Sequence, residues 1–261
     1  MTTAIAYNSN INFGTSYAFT QKGWFKKKKL NHHTNFERPD LDWNFTCNQI
    51  KKNATPKTKI LCHACSDGSE AVTLALKLGK DYIINAFDLS RKIISKAKKG
   101  LFYISTEGRD KNFFDKYHNF FTRKDGFESL GYSEQLKDYE FAYEHALDKN
   151  ILKNIKFKTQ DITKAFRKKQ EDPCVVFIRN VWYLLESDEA RTKLAKDMYE
   201  NFKPKSMVVI GATDTSHKYD DLFCHIDELL EKTGFKGIKS DEHLADNILT
   251  KNSPAQIFIK E

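Results

Sequence analysis

The chain has 261 residues, of which 43 are basic and 35 acidic, giving a formal net charge of +8, and 40% of its residues are hydrophobic. That composition excludes a disordered or fibrous chain, and the length suffices for one large α/β domain. No run approaches the ~18 apolar residues that span a bilayer, and the opening Met-Thr-Thr-Ala-Ile-Ala-Tyr-Asn lacks a signal peptide's basic flank, so the expected location is the cytoplasm, without membrane insertion.

Residues 1–57 read as an irregular N-terminal arm, with Tyr17, Phe19, Trp24, Phe25, Trp43 and Phe45 scattered around the run Lys26 to Lys29. From 58 to 261 the pattern becomes that of a single domain. Residues 59–65 read as a buried strand and 70–78 as a helix with Ala71, Leu74, Ala75 and Leu78 at helical spacing. Residues 82–87 read as a second strand and 91–99 as a second helix, stopped at Gly100. An insertion at 101–150 interrupts the alternation, and Leu136, Tyr139, Phe141, Tyr143 and Leu147 suggest at least one helix within it. Strands at 155–159, 174–178 and 206–211, helices at 188–202 and 219–233, and short strands at 235–238 and 256–259 complete the chain. Strands alternating with helices predict a Rossmann-like α/β fold, a mostly parallel seven-stranded sheet with helices on both faces.

Ligands of such sheets bind beyond the carboxyl ends of the strands. The first strand leads into Ala64-Cys65-Ser66-Asp67-Gly68-Ser69-Glu70. A lone glycine there lets backbone approach a ligand closely, but neither the three-glycine dinucleotide fingerprint nor Gly-Lys-Ser/Thr is present. A plain turn capped by Ser66 or Asp67 remains an alternative. Asp88 ends the second strand, twenty residues after Gly68, the separation at which an acid meets ribose hydroxyls; a helix cap would leave the same signature. Asp161 follows the third strand, where it suits the amine of an adenine or, again, a cap. The fourth runs into Arg179-Asn180-Val181-Trp182-Tyr183, placing two polar groups at an apolar mouth. These features describe a nucleoside without a phosphate chain, and S-adenosylmethionine is such a ligand.

At these residues the chain resembles the CheR-type methyltransferases, chemotaxis enzymes that methylate receptor glutamates. His63 to Glu70 is similar to that family's Ala-Cys-Ser-Thr-Gly-Glu-Glu loop, Ala86-Phe87-Asp88-Leu89-Ser90 to its Ala-Thr-Asp-Ile-Ser, and Lys96 to Phe102 to its Lys-Ala-Arg-x-Gly-x-Tyr. Asp161-Ile162 resembles its Asn-Leu, Ile178-Arg179-Asn180-Val181 its Cys-Arg-Asn-Val, and Gly211-Ala212-Thr213-Asp214 its Gly-His-Ser-Glu. The resemblance implies a class I methyltransferase using S-adenosylmethionine, held by Thr15, Ala64, Cys65, Ser66, Gly68, Glu70, Asp88, Leu89, Asp161, Ile162 and Asn180. Arg179, Asn180 and Tyr183 are implied as catalytic. Three departures stand out. The family's Asn-x-Thr-x-Phe-Phe-Arg is echoed only by Asn12, Thr15, Tyr17 and Phe19 with no Arg; its tyrosine after Arg-Asn falls on Leu184, with Tyr183 one place early; and its receptor-docking β-subdomain would fall within the stretch read as helical.

Other constellations point elsewhere. Cys62-His63-Ala64-Cys65 is half a zinc or redox motif without its second half, His32-His33 lies in a polar stretch, and no metal site is expected. With five cysteines in all, reduced thiols are expected. Seven of the 43 basic residues are Arg, which argues weakly for nucleic acid. The expected activity is methyl transfer by direct displacement, carboxyl methylation of a protein or small-molecule acceptor foremost, with rings such as Trp182 or Tyr17 facing the sulfonium. Two alternatives stay open: a non-catalytic S-adenosylmethionine sensor or adaptor, and a nucleic-acid methyltransferase using the basic arm, although Arg-Asn-Val-Trp replaces the amino-base Asn/Asp-Pro-Pro-Tyr/Phe motif.

Overall fold

Seven strands order themselves β11-β12-β10-β9-β3-β4-β8, and only β12 runs against its neighbours. They are β3 (Lys59–His63), β4 (Ile84–Asp88), β8 (Ile155–Thr159), β9 (Cys174–Ile178), β10 (Met207–Ile210), β11 (Lys236–Ile238) and β12 (Ile257–Ile259). Connecting them are α2 (Ser69–Leu78), α3 (Arg91–Ala97), α6 (Asp188–Asn201) and α7 (Ile226–Thr233), with the short α5 (Lys149–Leu152) before β8. The computed structural model describes residues 16–18, 28–30, 35–55, 58–133, 136, 138–185, 187–215, 225–239 and 255–261. The predicted Rossmann-like, mostly parallel seven-stranded sheet is therefore the observed one. Among the described residues no helix is long and apolar enough to cross a membrane.

Alternation along the central strands explains the two covered faces. Val175, Phe177, Met207 and Val209 pack into the core beneath α1 (Trp43–Asn53) and α2, while Cys174, Val176, Ile178, Val208 and Ile210 pack into the core beneath α6 and α7. All five residues of β9 and all four of β10 are buried, as expected of strands covered on both sides. The edge strand β8 instead exposes Lys156 and Lys158, charges that discourage pairing with another chain. The chain reverses direction across the sheet between β3 and β9, and the crevice at their carboxyl ends is the switch point.

Two stretches differ from their sequence reading. The arm contains α1, whose N-cap Asp42 accepts from Phe45 N–H at 2.9 Å. Its buried face is Trp43, Thr46, Cys47 and Ile50, a helical i, i+3, i+4, i+7 set in which a threonine and a cysteine replace larger apolar residues and blunt the pattern. Within the same arm β1 (Ser16–Ala18) pairs antiparallel with β2 (Lys28–Leu30).

The 101–150 insertion is built on an antiparallel sheet: it does contain a helix, at Lys111–Tyr117, but Tyr139 to Leu147, which suggested one, lie in a strand. β5 (Leu101–Ile104), β7 (Asp138–Leu147) and β6 (Phe121–Ser133) pair in the order β5-β7-β6, with α4 (Lys111–Tyr117) between the first two in sequence. Tyr139, Phe141 and Tyr143 alternate as a strand requires. Leu136, Tyr139, Tyr143 and Leu147 also fit helical spacing, and that coincidence produced the helical reading. The stretch therefore has the β character that the CheR resemblance implied, where the aromatic spacing had suggested a helix.

Candidate functional site

The loop after β3 is shaped by three left-handed residues, Ala64 (φ 54°), Ser66 (φ 50°) and Gly68 (φ 96°). Two non-glycines in that region store backbone strain, a feature concentrated at functional turns. Ala64 is exposed at the mouth, whereas Cys65 and Ser66 are buried. Cys65 N–H donates to the Phe87 carbonyl at 2.9 Å, tying the loop to β4. Asp67 Oδ1 accepts from the Ser69 N–H at 2.9 Å and hydroxyl at 2.8 Å, and burial pushes its carboxyl up to about 6. Gly68 has a different reason from the one its sequence context suggests. A Cβ there would lie 2.8 Å from the Phe157 ring of β8, so the glycine serves packing and its positive φ.

Asp88, at the end of β4, receives the Ser66 N–H at Oδ2 (3.0 Å) and the Ser90 N–H at Oδ1 (2.8 Å). The N-cap of α3 is Ser90, whose hydroxyl accepts from Ile93 N–H, so Asp88 is not that helix's cap. Leu89 sits between the two anchored residues. Asp161 accepts from the Thr163 N–H at 3.0 Å and hydroxyl at 2.7 Å, capping the short turn Ile162–Lys164 beside the end of β8.

Beyond β9 lies a buried ionic cluster. The Arg179 side chain is 1% exposed; its Nη1 meets Glu70 Oε2 at 2.5 Å and its Nη2 meets Asp40 Oδ1 at 2.5 Å. The guanidinium also lies 5.0 Å above the Trp43 ring. Burial alone would raise the Asp40 carboxyl, but Arg179, Arg38 and the Asn180 amide outweigh it and hold it below the ordinary range. Burial lowers Arg179, and its two carboxylate partners more than restore it. Asn180, left-handed at φ 54°, donates through Nδ2 to Asp40 Oδ2 at 2.7 Å. Its Oδ1 accepts from the Thr213 hydroxyl at 2.6 Å. Its backbone N–H donates to the fully buried Asp214 at 2.6 Å.

The sequence-derived candidates thus stand at the carboxyl ends of four neighbouring strands: the Ala64–Glu70 loop after β3, Asp88 with Leu89 at β4, Asp161 with Ile162 after β8, and Arg179 with Asn180 after β9. Tyr183 is 38% exposed in the turn that follows β9. Trp182 has no ligand-facing ring, being fully buried with its indole N–H on the Ile178 carbonyl at 3.1 Å. Thr15 lies outside the described residues, as does the side chain of Tyr17. Cys62 and His63 have structural partners: the thiol reaches Glu70 Oε1 at 3.4 Å, and the imidazole stacks on Phe87. Among the described residues no three metal-ligating side chains gather.

Arg38 and Asp40 are participants that the sequence reading passed over, while Trp43 and Asp214 appear in it only as an arm aromatic and as the end of the Gly211–Asp214 resemblance, without a role in the site. Asp40 and Asp42 both lie just before the first turn of α1 and look like ordinary capping acids. Only their distance in the fold from Arg179 separates a cap from a cluster member.

The family described as CheR methyltransferase, SAM binding domain, matches residues 32–229, leaving the Asn12 to Phe19 echo outside the match. A TehB-like SAM-dependent methyltransferase from Corynebacterium glutamicum is 14% identical with TM-score 0.45, covering 82% of this chain and 86% of that one. Human N-acetylserotonin methyltransferase in complex with SAM is 13% identical with TM-score 0.42, covering 84% and 52%. A SAM-dependent methyltransferase from Aquifex aeolicus is 12% identical with TM-score 0.39, covering 77% and 83%. No curated protein matches the chain.

Proposed function

The chain belongs to the CheR methyltransferase family and is a methyltransferase that uses S-adenosylmethionine, and we propose that its acceptor is a carboxylate on a protein docked beside the β5-β7-β6 sheet. The observation that carries this reading is that sheet itself. It is inserted after α3, where the family resemblance expects a docking subdomain, and it exposes Phe127 (66%), Tyr139 (60%) and Phe141 (41%).

The crevice fits the cofactor. Asp88 places a carboxylate at the end of β4, the position suited to ribose hydroxyls, the exposed Ala64 brings backbone to the mouth, and the half-buried Asp40 offers a carboxylate suited to an ammonium. Asp161 and Ile162 border the place for an adenine. When bound, S-adenosylmethionine supplies an electrophilic methyl on a sulfonium. The chain's own residues orient and desolvate. A carboxylate acceptor is already ionised at neutral pH and needs no general base, so alignment within a dry crevice is the main requirement. Arg179 fastens Glu70 of α2 to Asp40 and keeps both carboxylates in place, Asn180 presents its amide edge, and Tyr183 borders the acceptor side.

The reading is tested by incubating the protein with methyl-labelled cofactor and fractionated lysate. Label entering protein and released as methanol by mild alkali is the result expected for a carboxyl ester. Alkali-stable label, or label in nucleic acid, would replace this acceptor class with another.

A further inference from the structure

The interlock between the ends of β9 and β10 assigns a task to a residue with no predicted role. We propose that Asp214 is a positioning residue that fixes Asn180 in the cofactor crevice, acting through the backbone and not by touching the cofactor. The inference rests on the cofactor reading of that crevice.

Asp214 Oδ2 accepts two backbone N–H groups from different strand ends: Asn180 at 2.6 Å and Gly211 at 2.9 Å. Its relative exposure is 0%, so this is a buried carboxyl enlisted to bind main chain. One of those N–H groups belongs to the left-handed Asn180 (φ 54°), a conformation that costs a non-glycine free energy and is kept only when its surroundings enforce it. The neighbouring residues complete the enforcement. The Thr213 hydroxyl donates to Asn180 Oδ1 at 2.6 Å, and the Thr213 N–H to the same atom at 3.3 Å. Gly211 leaves the space that the amide fills: a Cβ on it would lie 2.0 Å from Asn180 Oδ1 and 2.4 Å from Cγ. Gly211 itself has an ordinary extended backbone, φ −88° and ψ 166°, so its lack of a side chain serves Asn180 and not its own conformation. The segment 211–214 therefore grips Asn180 by backbone, by side chain and by a void of matching shape. The fixed amide in turn directs Nδ2 at Asp40.

The test is a double-mutant cycle read as S-adenosylhomocysteine affinity by calorimetry, with thermal unfolding followed in parallel. Asp214→Ala and Asn180→Ala should each weaken binding at least tenfold, and the double variant should be no weaker than Asn180→Ala alone, because one residue acts through the other. Asp214→Asn, whose amide carbonyl can accept the same two N–H groups, should restore affinity to within about threefold of wild type. Gly211→Ala gives a route that leaves the carboxyl untouched and should match the Asn180→Ala loss; it decides the matter if Asp214→Ala does not fold. Additive losses in the cycle, or a Gly211→Ala variant binding like wild type, would overturn the proposal. Wild-type protein that binds neither S-adenosylhomocysteine nor S-adenosylmethionine would overturn the cofactor reading itself, an outcome distinct from wild-type binding with additive losses.

Discussion

Arg179 and Asp40 stand 139 positions apart in the chain, and their Nη2 and Oδ1 atoms lie 2.5 Å apart. The contact closes a bridge that runs from Glu70 at the start of α2, through the guanidinium, to the segment leading into α1. A buried cation between two carboxylates is costly to desolvate and strongly disruptive to break. Its value here is positional: it sets the wall of the crevice at the switch point of the sheet.

Removing the guanidinium takes from the buried Glu70 its cation and leaves Asp40 with Arg38, whose Nε lies 3.7 Å from Oδ1. Arg179→Met is expected to destabilise the fold by roughly 3–5 kcal/mol in urea unfolding. Arg179→Lys should recover only part of that, since one ammonium cannot span both carboxylates as the guanidinium does. A stability within ~1 kcal/mol of wild type for Arg179→Met would mean the cluster is relieved by water or protonation.

Asp88→Ala is expected to weaken cofactor affinity at least tenfold, on the basis of about 1.5–3 kcal/mol for a charge-assisted hydrogen bond. The structure adds a second effect, because the variant also frees the Ser66 and Ser90 N–H groups. Asp88→Asn keeps a side-chain acceptor for one of them and should lose less stability than Asp88→Ala while still binding the cofactor poorly. Calorimetric titration beside thermal unfolding separates the two effects. Unchanged affinity with lowered stability would confine Asp88 to anchoring the loop.

The sheet and most of the crevice were legible because each strand end carries a local signal: a short polar motif directly after an apolar run. Ala64 to Glu70, Asp88 and Arg179-Asn180 are of this kind. Asp40 carries no such signal, since it looks like a capping acid until the fold brings it to Arg179 and Asn180, and the Gly211–Asp214 motif after β10 was visible without any sign that Asp214 would reach the Asn180 backbone. Gly68 was found for a partial reason, as its contact with Phe157 depends on β8, some ninety residues on. The β5-β7-β6 sheet was missed because aromatic spacing in β7 satisfies two periods at once.

Gly68→Ala should therefore destabilise the protein irrespective of any ligand. The added methyl meets Phe157 at 2.8 Å and the residue sits at φ 96°, two penalties of about 1–3 kcal/mol each. Adding Phe157→Leu should return the steric part but not the conformational one. Full recovery in the double variant, measured by urea unfolding, would show that the backbone conformation carries no cost.

The buried acids predict how stability depends on pH. Burial pushes Asp214 up to about 7 and Asp67 and Asp110 up to about 6, so each binds its proton more tightly in the folded chain than in the unfolded one. Their contribution is complete below about pH 4, the ordinary aspartate range, and is lost as pH rises through 6 to 7. His63, lowered by burial to about 3, acts in the opposite direction, costing stability as pH falls below about 6.5. Comparison of wild type with Asp214→Asn isolates the first effect. The variant should gain on wild type by a few kcal/mol between pH 5 and 8, on the order of 1.4 kcal/mol per pH unit at most. Parallel stability curves across that range would place the Asp214 carboxyl in its ordinary range.

The final prediction concerns acceptor choice, for which the hairpin and the basic arm compete. In the hairpin Phe127 pairs across from Tyr143, Ser129 from Phe141 and Tyr132 from Tyr139, which puts Phe127, Phe141 and Tyr139 on one face. Large aromatics exposed together on one sheet face are the kind of patch that marks a docking surface. The arm offers Lys26 to Lys29, of which only the backbone of Lys28 and Lys29 lies within the described residues. If the hairpin selects the acceptor, changing Phe127, Tyr139 and Phe141 together to Ser should cut label transfer into protein at least tenfold and leave S-adenosylhomocysteine affinity within twofold, because none of the three belongs to the crevice. If the arm attracts an acidic acceptor, changing the four lysines to Gln should slow transfer at low salt, and the difference should shrink as added salt screens charges over ~8–10 Å. The aromatic effect should persist at high salt, since apolar contact is not screened. That difference in salt response separates the two surfaces even if both variants are slow, and normal transfer by the aromatic variant would remove the hairpin from acceptor recognition.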